Sequence, residues 1–431
     1  MKAEKAQSII RDKENFIFAP NSLFLSDYSL TATFLFISAK IIDFILKMCD
    51  NKNMQRIGIL GGTFDPVHVE HEALARAALI ELNLDKLVVM PTFISPHKTE
   101  AKASPASDRL NMLNLAFKDD EKIEVSDFEI LKEGKSYTYQ TVEWFKAQGA
   151  EDLFFICGGD MLTDFKNWRF PERILSACTL AVFARENFAT DFSGEREYFL
   201  KTFGKEFIKL KYFGKDESST KIRVYSMLNL PLNGLVSQKV EEYIKENDLY
   251  KADDYYEYVR LTLPEKRLKH TANVVVTALK KAKELGLDKK KVETACVLHD
   301  CAKYLDYKSV KDFELEDGVP EPVIHSFLGA HVAKTKLGIE DEEIIDAIRF
   351  HTSGKPNMSL LGKLVFVADM VEEGRNYEGV EYLRELYNKS DFEFCFKECL
   401  REEYIHLLNR KGDIYSKTLD AYNYYINKKE G

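Results

Sequence analysis

The chain has 431 residues, too many for one ordinary hydrophobic core, which predicts two or three domains. Hydrophobic residues make up 45% of it and charged residues 30%, proportions typical of a folded globular protein and not of a disordered one. The formal net charge of -9 argues against nonspecific nucleic-acid binding, which needs a basic surface, so we expect no nucleic-acid partner.

The cysteines indicate the compartment. There are seven, and no two form a C-x-x-C pair, which argues against a disulfide framework or a zinc ribbon. A reducing cytoplasm is the simplest setting, so we expect a cytoplasmic protein.

Residues 1–53 do not match the rest of the chain. Residues 30–49 are rich in apolar side chains, but Lys40, Asp43 and Lys47 interrupt them and are costly at the centre of a bilayer. We therefore expect no stable membrane insertion, and no signal-peptide cleavage site follows the apolar segment. Met54 lies just before the first predicted strand. Our hypothesis is that Met54 is the natural start and that residues 1–53 are a non-functional extension, either upstream translation or an appended amphipathic segment.

The most specific local pattern lies at residues 57–71. An apolar run at 57–60 predicts a buried strand, and Gly61-Gly62-Thr63-Phe64 then turns toward a predicted helix. Such a turn aims backbone N–H groups and the positive end of a helix at a ligand, which suits phosphate. His68 and His71 are spaced to share one face of the helix start, so both can reach the phosphates of one nucleotide.

Short apolar runs alternate with amphipathic helical segments from residue 56 to residue 250. The runs lie at 57–60, 86–90, 153–157 and 180–183. This alternation predicts an α/β fold, a Rossmann-like parallel sheet with helices on both faces. Ligands in such sheets bind beyond the carboxyl ends of the strands.

Three polar clusters interrupt this first half. Pro96-His97-Lys98 puts a compact positive charge in a stiff loop, and Ser136-Tyr137-Thr138 precedes a predicted helix. Gly158-Gly159-Asp160 puts a carboxylate at a strand end, with Trp168 shortly after it. From the residues alone, Lys98 is more often a solvated lysine, and Trp168 is a core residue by about two to one. A helix cap by Thr138 or Ser136 is an equal alternative to a ligand contact and is compatible with it.

A second phosphate pattern is Ser218-Ser219-Thr220-Lys221-Ile222-Arg223. Hydroxyls at a helix start can hold a triphosphate together with the N–H groups behind them. An arginine one turn later offers bidentate hydrogen bonds to phosphate, and an ordinary helix cap does not account for it.

Together these strings resemble the bacterial nicotinate-nucleotide adenylyltransferases of the nucleotidyltransferase superfamily, over about residues 54–250. The resemblance implies catalytic roles for His68, His71, Lys98 and Arg223. It implies that Thr138 and Trp168 lie against nicotinate mononucleotide. The implied ATP-binding residues are Gly61, Gly62, Thr63, Phe64, Asp160, Ser218, Ser219 and Thr220.

The implied reaction is attack by the phosphate of nicotinate mononucleotide on the α-phosphorus of ATP, which carries Mg²⁺, giving nicotinate adenine dinucleotide and pyrophosphate. The attacking phosphate is already an anion, so catalysis comes from positioning and from neutralising charge. Nicotinamide mononucleotide and pantetheine phosphate stay open as acceptors. Trp168, the S-Y-T element and the P-H-K loop favour the nicotinate.

From about residue 262 the sequence has long helical periods and almost no strand pattern, which predicts an all-α bundle. Four imidazoles and two carboxylates on separate predicted helices form a ligand set for one or two divalent transition metals. They are His270, His299, Asp300, His325, His351 and Asp369. His331 lies about 240° around a helix from His325 and should face elsewhere.

This succession resembles the HD phosphohydrolase superfamily, and within it the YqeK-type branch of symmetrical diadenosine tetraphosphate hydrolases, over about residues 262–415. The resemblance implies two metal ions, with iron expected, and hydrolysis of dinucleoside polyphosphates to ADP. It implies that Lys303 and Arg375 contact phosphate. The alternative is that these two side chains only form ion pairs on the surface. A non-catalytic nucleotide-sensing or assembly module is the alternative for the whole half.

The sequence thus predicts four segments in a bifunctional enzyme of NAD biosynthesis. They are an N-terminal extension (1–53), a nucleotidyltransferase domain (54–250), a linker (251–262) and an HD phosphohydrolase domain (263–431). A homo-oligomer is compatible with the sequence, which does not fix the oligomeric state.

Overall fold

The computed structural model describes residues 55–94, 103–186, 189–410 and 414–427. They belong to one compact unit, Gln55–Gly431. The predictions for residues 1–53, for Met54 and for Lys98 lie outside the described residues.

The first half is built on a parallel sheet of six strands, which confirms the predicted α/β class. In chain order the strands are β1 Arg56–Gly62, β2 Lys86–Pro91, β3 Ile123–Val125, β4 Asp152–Gly158, β5 Thr179–Arg185 and β6 Ile208–Gly214. Their order across the sheet is β3-β2-β1-β4-β5-β6, and every neighbouring pair is parallel. The strand order reverses between β1 and β4, the position where ligands bind in sheets of this kind.

Helices follow the strands of the sheet, as the alternation predicts. They are α1 Val69–Glu81, α2 Ala106–Ala116, α3 Phe128–Lys132, α4 Thr138–Ala147, α5 Gly159–Thr163, α6 Pro171–Ala177, α7 Phe192–Phe203, α8 Ser219–Met227 and α9 Gln238–Glu246. The central strands are buried along most of their length because these helices cover both faces.

The second half is helical throughout the described residues, which confirms the predicted all-α region. Its helices are α10 Asp254–Thr262, α11 Glu265–Ala282, α12 Lys289–Leu298, α13 Glu321–Thr335, α14 Glu342–Phe350, α15 Leu360–Val371, α16 Val380–Lys389, α17 Phe392–Asn409 and α18 Ser416–Tyr422. None of the helices in the described ranges is long and apolar enough to cross a membrane.

The segment 251–262, predicted as a linker, is mostly the helix α10. The carboxylate of Asp253 caps this helix by accepting from the N–H groups of Tyr255 and Tyr256. Tyr256 is 1% exposed, and its hydroxyl donates to Glu293 on α12 at 2.7 Å. The segment is therefore packed structure and not a loose tether.

One hydrophobic core runs through both halves. Helix α8 of the first half packs against α11 of the second, and its Tyr225 is buried between them. This contact joins the first half of the chain to the helical bundle.

Candidate functional site

The turn after β1 places the histidine pair at the start of α1. His68 directly precedes the helix, and its N–H donates to Nδ1 of His71 at 3.3 Å. The two rings are stacked with their centroids 3.6 Å apart. Burial, with a smaller effect from the charge of Arg185, lowers the pKa of His68 to about 3, so this imidazole is neutral in the ligand-free protein.

The second phosphate pattern meets the first at this turn. The Ser219 hydroxyl donates to the carbonyl of Pro66 at 2.9 Å, although the two residues are 153 apart in sequence. Arg223 donates to the carbonyl of Asp65 at 2.6 Å and to the hydroxyl of Thr220 at 3.1 Å. The N-termini of α1 and α8 therefore lie side by side, and together they favour a polyanion.

The glycines after β4 leave no room for side chains. A methyl group on Gly158 would lie 2.3 Å from Oδ1 of Asp160, and one on Gly159 would lie 2.0 Å from the hydroxyl of Thr190. Oδ1 of Asp160 is buried and has no hydrogen-bond partner within the described ranges. Buried carboxylate oxygens normally have a partner, and a ligand hydroxyl or amine can supply one here.

Thr138 and Trp168 have different surroundings. Thr138 is the first residue of α4, and nearby Ser136 accepts from the N–H of Phe93 at 3.0 Å, which ties this element to the loop after β2. Trp168 is 7% exposed and lies against the rings of Phe155 and Phe165. Its indole is thus largely a core group, and contact with nicotinate stays a prediction.

Two arginines of this half escaped the sequence analysis. Arg109 is 2% exposed and donates to the carbonyls of Thr63, Thr92 and Ser104 at 2.7–3.1 Å, so it joins the loop after β1 to both ends of the connection between β2 and α2. Its position inside the ordinary-looking helix α2 gave no signal of this. Arg185 ends β5, and the polar residue at a strand's carboxyl end was the signal that could have found it.

The structure brings all six predicted metal ligands together. His270 lies on α11, His325 on α13 and Asp369 on α15, while His299-Asp300 and His351 directly follow α12 and α14. His270 Nε2 is 3.0 Å from Asp369, and Asp300 is 3.1 Å from His325 Nε2 and 3.6 Å from His351 Nε2. His331 faces Phe313 instead, as its spacing predicts.

Hydrogen bonds fix the same tautomer of two of these imidazoles. Nδ1 of His299 is 2.6 Å from the carbonyl of Cys296, and Nδ1 of His351 is 2.7 Å from that of Ile348. A carbonyl only accepts, so each Nδ1 carries the proton and each Nε2 points a lone pair into the cluster. Nε2 of His270 lies 3.2 Å from that of His299, and two facing lone pairs repel, so either a proton on His270 Nε2 or a bound metal ion satisfies this contact.

Two overlapping groups of residues are spaced to hold a divalent ion, and because both use Nε2 of His299, that nitrogen can bind only one ion at a time. The two groups are His270 with His299 and Asp369, and His299 with Asp300 and His351. Burial raises the pKa of Asp300 and of Asp369, but the neighbouring histidines, and Arg375 at Asp369, outweigh it and hold both well below the usual range. Ionised carboxylates and neutral imidazoles are the ligand forms that a metal needs.

Basic side chains surround the cluster. Lys303 Nζ is 3.1 Å from His325 Nε2, and Arg375 donates to the carbonyl of Asp369 at 2.7 Å. Arg267, to which the sequence analysis gave no role, donates to Asp300 at 2.7 Å. Burial lowers the pKa of Lys303. These three cations can receive the charge of a polyphosphate.

Glu372 was also missed, although it lies only three residues after the predicted ligand Asp369. It is 2% exposed, and its carboxylate lies 3.1 Å from His270 Nδ1. A carboxylate behind a metal-binding histidine is a recurrent arrangement, because it orients the ring.

The comparisons with known proteins match the two halves of the chain to two different families. The Cytidylyltransferase-like family matches residues 59–224, and the HD domain family matches residues 267–374. A probable nicotinate-nucleotide adenylyltransferase of Clostridium botulinum is 39% identical over 201 residues, which is 46% of this chain and 100% of the relative.

Two further relatives reach the second half. A probable nicotinate-nucleotide adenylyltransferase/Ap4A hydrolase of Mycoplasma genitalium is 29% identical over 330 residues, 75% of this chain and 89% of the relative. A solved structure, described as a predicted HD superfamily hydrolase involved in NAD metabolism from Clostridium acetobutylicum, is 32% identical. It covers 41% of this chain and 97% of its own, with a TM-score of 0.37.

Proposed function

The chain belongs to the nicotinate-nucleotide adenylyltransferase family, and we propose on that premise that its first half transfers the adenylyl group of ATP to nicotinate mononucleotide. The products are nicotinate adenine dinucleotide, a precursor of NAD, and pyrophosphate. The observation that supports this most is the meeting of the two phosphate-binding patterns at the N-termini of α1 and α8.

The chemistry needs no protein nucleophile. A phosphate oxygen of nicotinate mononucleotide forms a bond to the α-phosphorus of ATP, and the bond from that phosphorus to the pyrophosphate oxygen breaks. His68, whose imidazole is neutral, hydrogen-bonds the phosphates and holds them in line. His71, Arg223 and the two helix N-termini neutralise the charge that moves onto pyrophosphate. Mg²⁺ enters with ATP as part of the substrate.

We propose the remaining roles in this half from where each residue lies in the sequence patterns. Asp160 accepts hydrogen bonds from ATP, and Thr138 and Trp168 lie against the pyridine nucleotide. Lys98 is assigned to phosphate on its sequence alone. Nicotinamide mononucleotide and pantetheine phosphate are the competing acceptors.

The second half is proposed to hydrolyse diadenosine tetraphosphate to two ADP, the activity in the name of the Mycoplasma relative. The supporting observation is the convergence of six ligands with three Nδ1 positions already occupied. Divalent ions bound there would activate water and polarise a phosphoryl oxygen. Lys303, Arg375 and Arg267 would hold the polyphosphate over the cluster.

Iron is the metal we propose, in two ions, since mixed imidazole and carboxylate ligands suit divalent transition metals. The proposed setting is the cytoplasm, because the six described cysteines are all unpaired thiols in buried positions.

A product analysis tests both activities. The purified chain with its native metal is incubated with ATP plus nicotinate mononucleotide, and separately with diadenosine tetraphosphate, and the products are separated by anion-exchange chromatography. We expect the dinucleotide in the first reaction and ADP in the second. Asp369→Ala should abolish only ADP formation, and His71→Ala should impair only the transfer.

Each negative result has its own meaning. Absence of the dinucleotide with every acceptor would contradict the transferase assignment. Absence of ADP from a metal-loaded chain would favour the nucleotide-sensing module for the second half.

A further inference from the structure

A chain of hydrogen bonds runs from the first half of the molecule to the candidate metal centre. It starts on α8, where the Tyr225 hydroxyl donates to Oδ1 of Asn273 on α11 at 3.0 Å. Nδ2 of Asn273 donates to Oε2 of Glu372 at 2.8 Å. The other oxygen of Glu372, Oε1, is 3.1 Å from Nδ1 of His270.

Each of these bonds has one direction. The amide nitrogen of Asn273 only donates and the carboxylate of Glu372 only accepts, so the amide oxygen is left to accept from Tyr225. Glu372 likewise accepts from His270, which places the proton of His270 on Nδ1. Nε2, which lies 3.0 Å from Asp369, is then the ring nitrogen left to bind a metal ion in place of a proton. The chain of bonds therefore selects the form of His270 that binds a metal.

Water does not readily replace any of these partners. Tyr225 is 6% exposed, Asn273 3% and Glu372 2%. Removing one partner leaves a buried polar group unpaired, and the group that remains shifts or loses its orientation.

A second contact from α8 holds the same segment of the second half. Lys221, one turn before Tyr225, pairs with Glu373 at 3.0 Å. Helix α8 therefore contacts Glu373 directly and reaches the preceding residue, Glu372, through Asn273. Both glutamates follow the ligand Asp369 within four positions of sequence.

We propose that Tyr225 is a positioning residue for the metal centre of the other half: through Asn273 and Glu372 it fixes the metal-binding form of His270. The inference rests on the proposed metal-dependent function of the second half. It assigns to α8, whose N-terminus is part of the proposed ATP site, a second task in the hydrolase site.

The test measures metal affinity and not turnover alone. Tyr225→Phe removes the hydroxyl and keeps the ring, and the metal-free full chain is titrated calorimetrically with Mn²⁺. We expect about fivefold weaker Mn²⁺ binding, less than the roughly 10- to 100-fold loss typical when a group that touches a ligand is removed. The melting temperature of the metal-free variant should fall by no more than about 3 °C.

A matched control and a double variant separate positioning from general damage. Tyr243→Phe removes another hydroxyl of the first half, one that contacts Asp108 and Asn111, and it should leave Mn²⁺ affinity unchanged. Asn273→Ala should weaken Mn²⁺ binding at least as much as Tyr225→Phe. If Tyr225 acts through Asn273, the double variant should bind no more weakly than Asn273→Ala alone.

The outcomes distinguish this inference from the proposed activity. Any of three results would overturn the inference. They are unchanged Mn²⁺ affinity in Tyr225→Phe, additive losses of affinity in the double variant, and no Mn²⁺ binding by the wild-type chain. Weaker binding in Tyr225→Phe, with a wild-type chain that fails to hydrolyse diadenosine tetraphosphate, would overturn the activity and keep the inference. Normal hydrolysis by the wild-type chain, with unchanged Mn²⁺ affinity in Tyr225→Phe, would keep the proposed activity and overturn the inference.

Discussion

His71 is the third residue of α1 and stacks on His68 directly above the turn that follows β1. His71→Ala removes a hydrogen-bonding ring from the place where the phosphates of ATP are proposed to lie. We expect kcat for adenylyl transfer to fall about tenfold or more, because neutralising moving charge is the main catalytic task there. Steady-state kinetics measures this, and circular dichroism checks that the fold is intact. Near-normal turnover would remove His71 from the mechanism.

His68 makes the stability of the first half depend on pH. Its pKa is about 3 in the fold, against an ordinary value of 6.5, so the unfolded chain takes up the proton first as pH falls. The stability that neutral His68 contributes is fully present above pH 6.5 and is lost progressively toward pH 3. The slope from this one group is at most about 1.4 kcal/mol per pH unit.

Urea unfolding between pH 7 and pH 5, followed by tryptophan fluorescence, measures that dependence. Both tryptophans, Trp144 and Trp168, lie in the first half. His68→Gln should show a shallower fall of the unfolding midpoint than wild type. His406→Gln, at an exposed position of α17, is the control and should keep the wild-type slope. Equal slopes in all three proteins would show that His68 is not the source.

Single residues differ in how far sequence reveals them. His68 and His71 could be predicted to meet, because a short spacing on a helix fixes their relation. Arg109 could not be predicted, because its three carbonyl partners come from loops up to 46 residues away in sequence. Glu372 and Tyr225 are similar cases, since only the tertiary fold brings them to His270.

At the scale of elements, α5 starts where β4 ends, and Gly159 is the hinge between them. Gly159→Ala should place a methyl group against the Thr190 hydroxyl, with a loss of about 1–3 kcal/mol in stability and a higher KM for ATP. Differential scanning calorimetry and initial-rate kinetics measure the two effects. Adding Thr190→Ala removes the clashing hydroxyl and should restore part of both. A single variant as stable as wild type would contradict this account.

The strands that could be predicted are those whose burial on both faces requires a continuous apolar run in the sequence. The runs at 57–60, 86–90, 153–157 and 180–183 lie within β1, β2, β4 and β5, which helices bury on both faces. The edge strand β6 was missed because most of its residues are exposed and two are lysines. Helix α10 was taken for a linker because its pattern is short and its burial depends on contact with α12.

At the scale of the whole molecule, the continuous core predicts that metal in the second half stabilises the first. At an Mn²⁺ concentration about 100 times the dissociation constant, binding to the native state adds roughly 2.7 kcal/mol. We expect the melting temperature read from Trp144 and Trp168 to rise by about 3–8 °C. The same measurement on Asp369→Ala is the control and should show little rise. Two separate transitions, with the tryptophan signal insensitive to Mn²⁺, would show that the halves unfold independently.

Helix α8 also limits how such a chain can be recombined. A chimaera that keeps residues up to 262 and takes its second half from another protein would exchange Asn273 and Glu373 while retaining Tyr225 and Lys221. Unless the donor supplies an amide and a carboxylate at those two places, the junction would bury the Tyr225 hydroxyl without a partner and leave the Lys221 ammonium paired only with Glu217. Substitutions at these four positions are therefore expected to succeed in pairs, one on each side of the border.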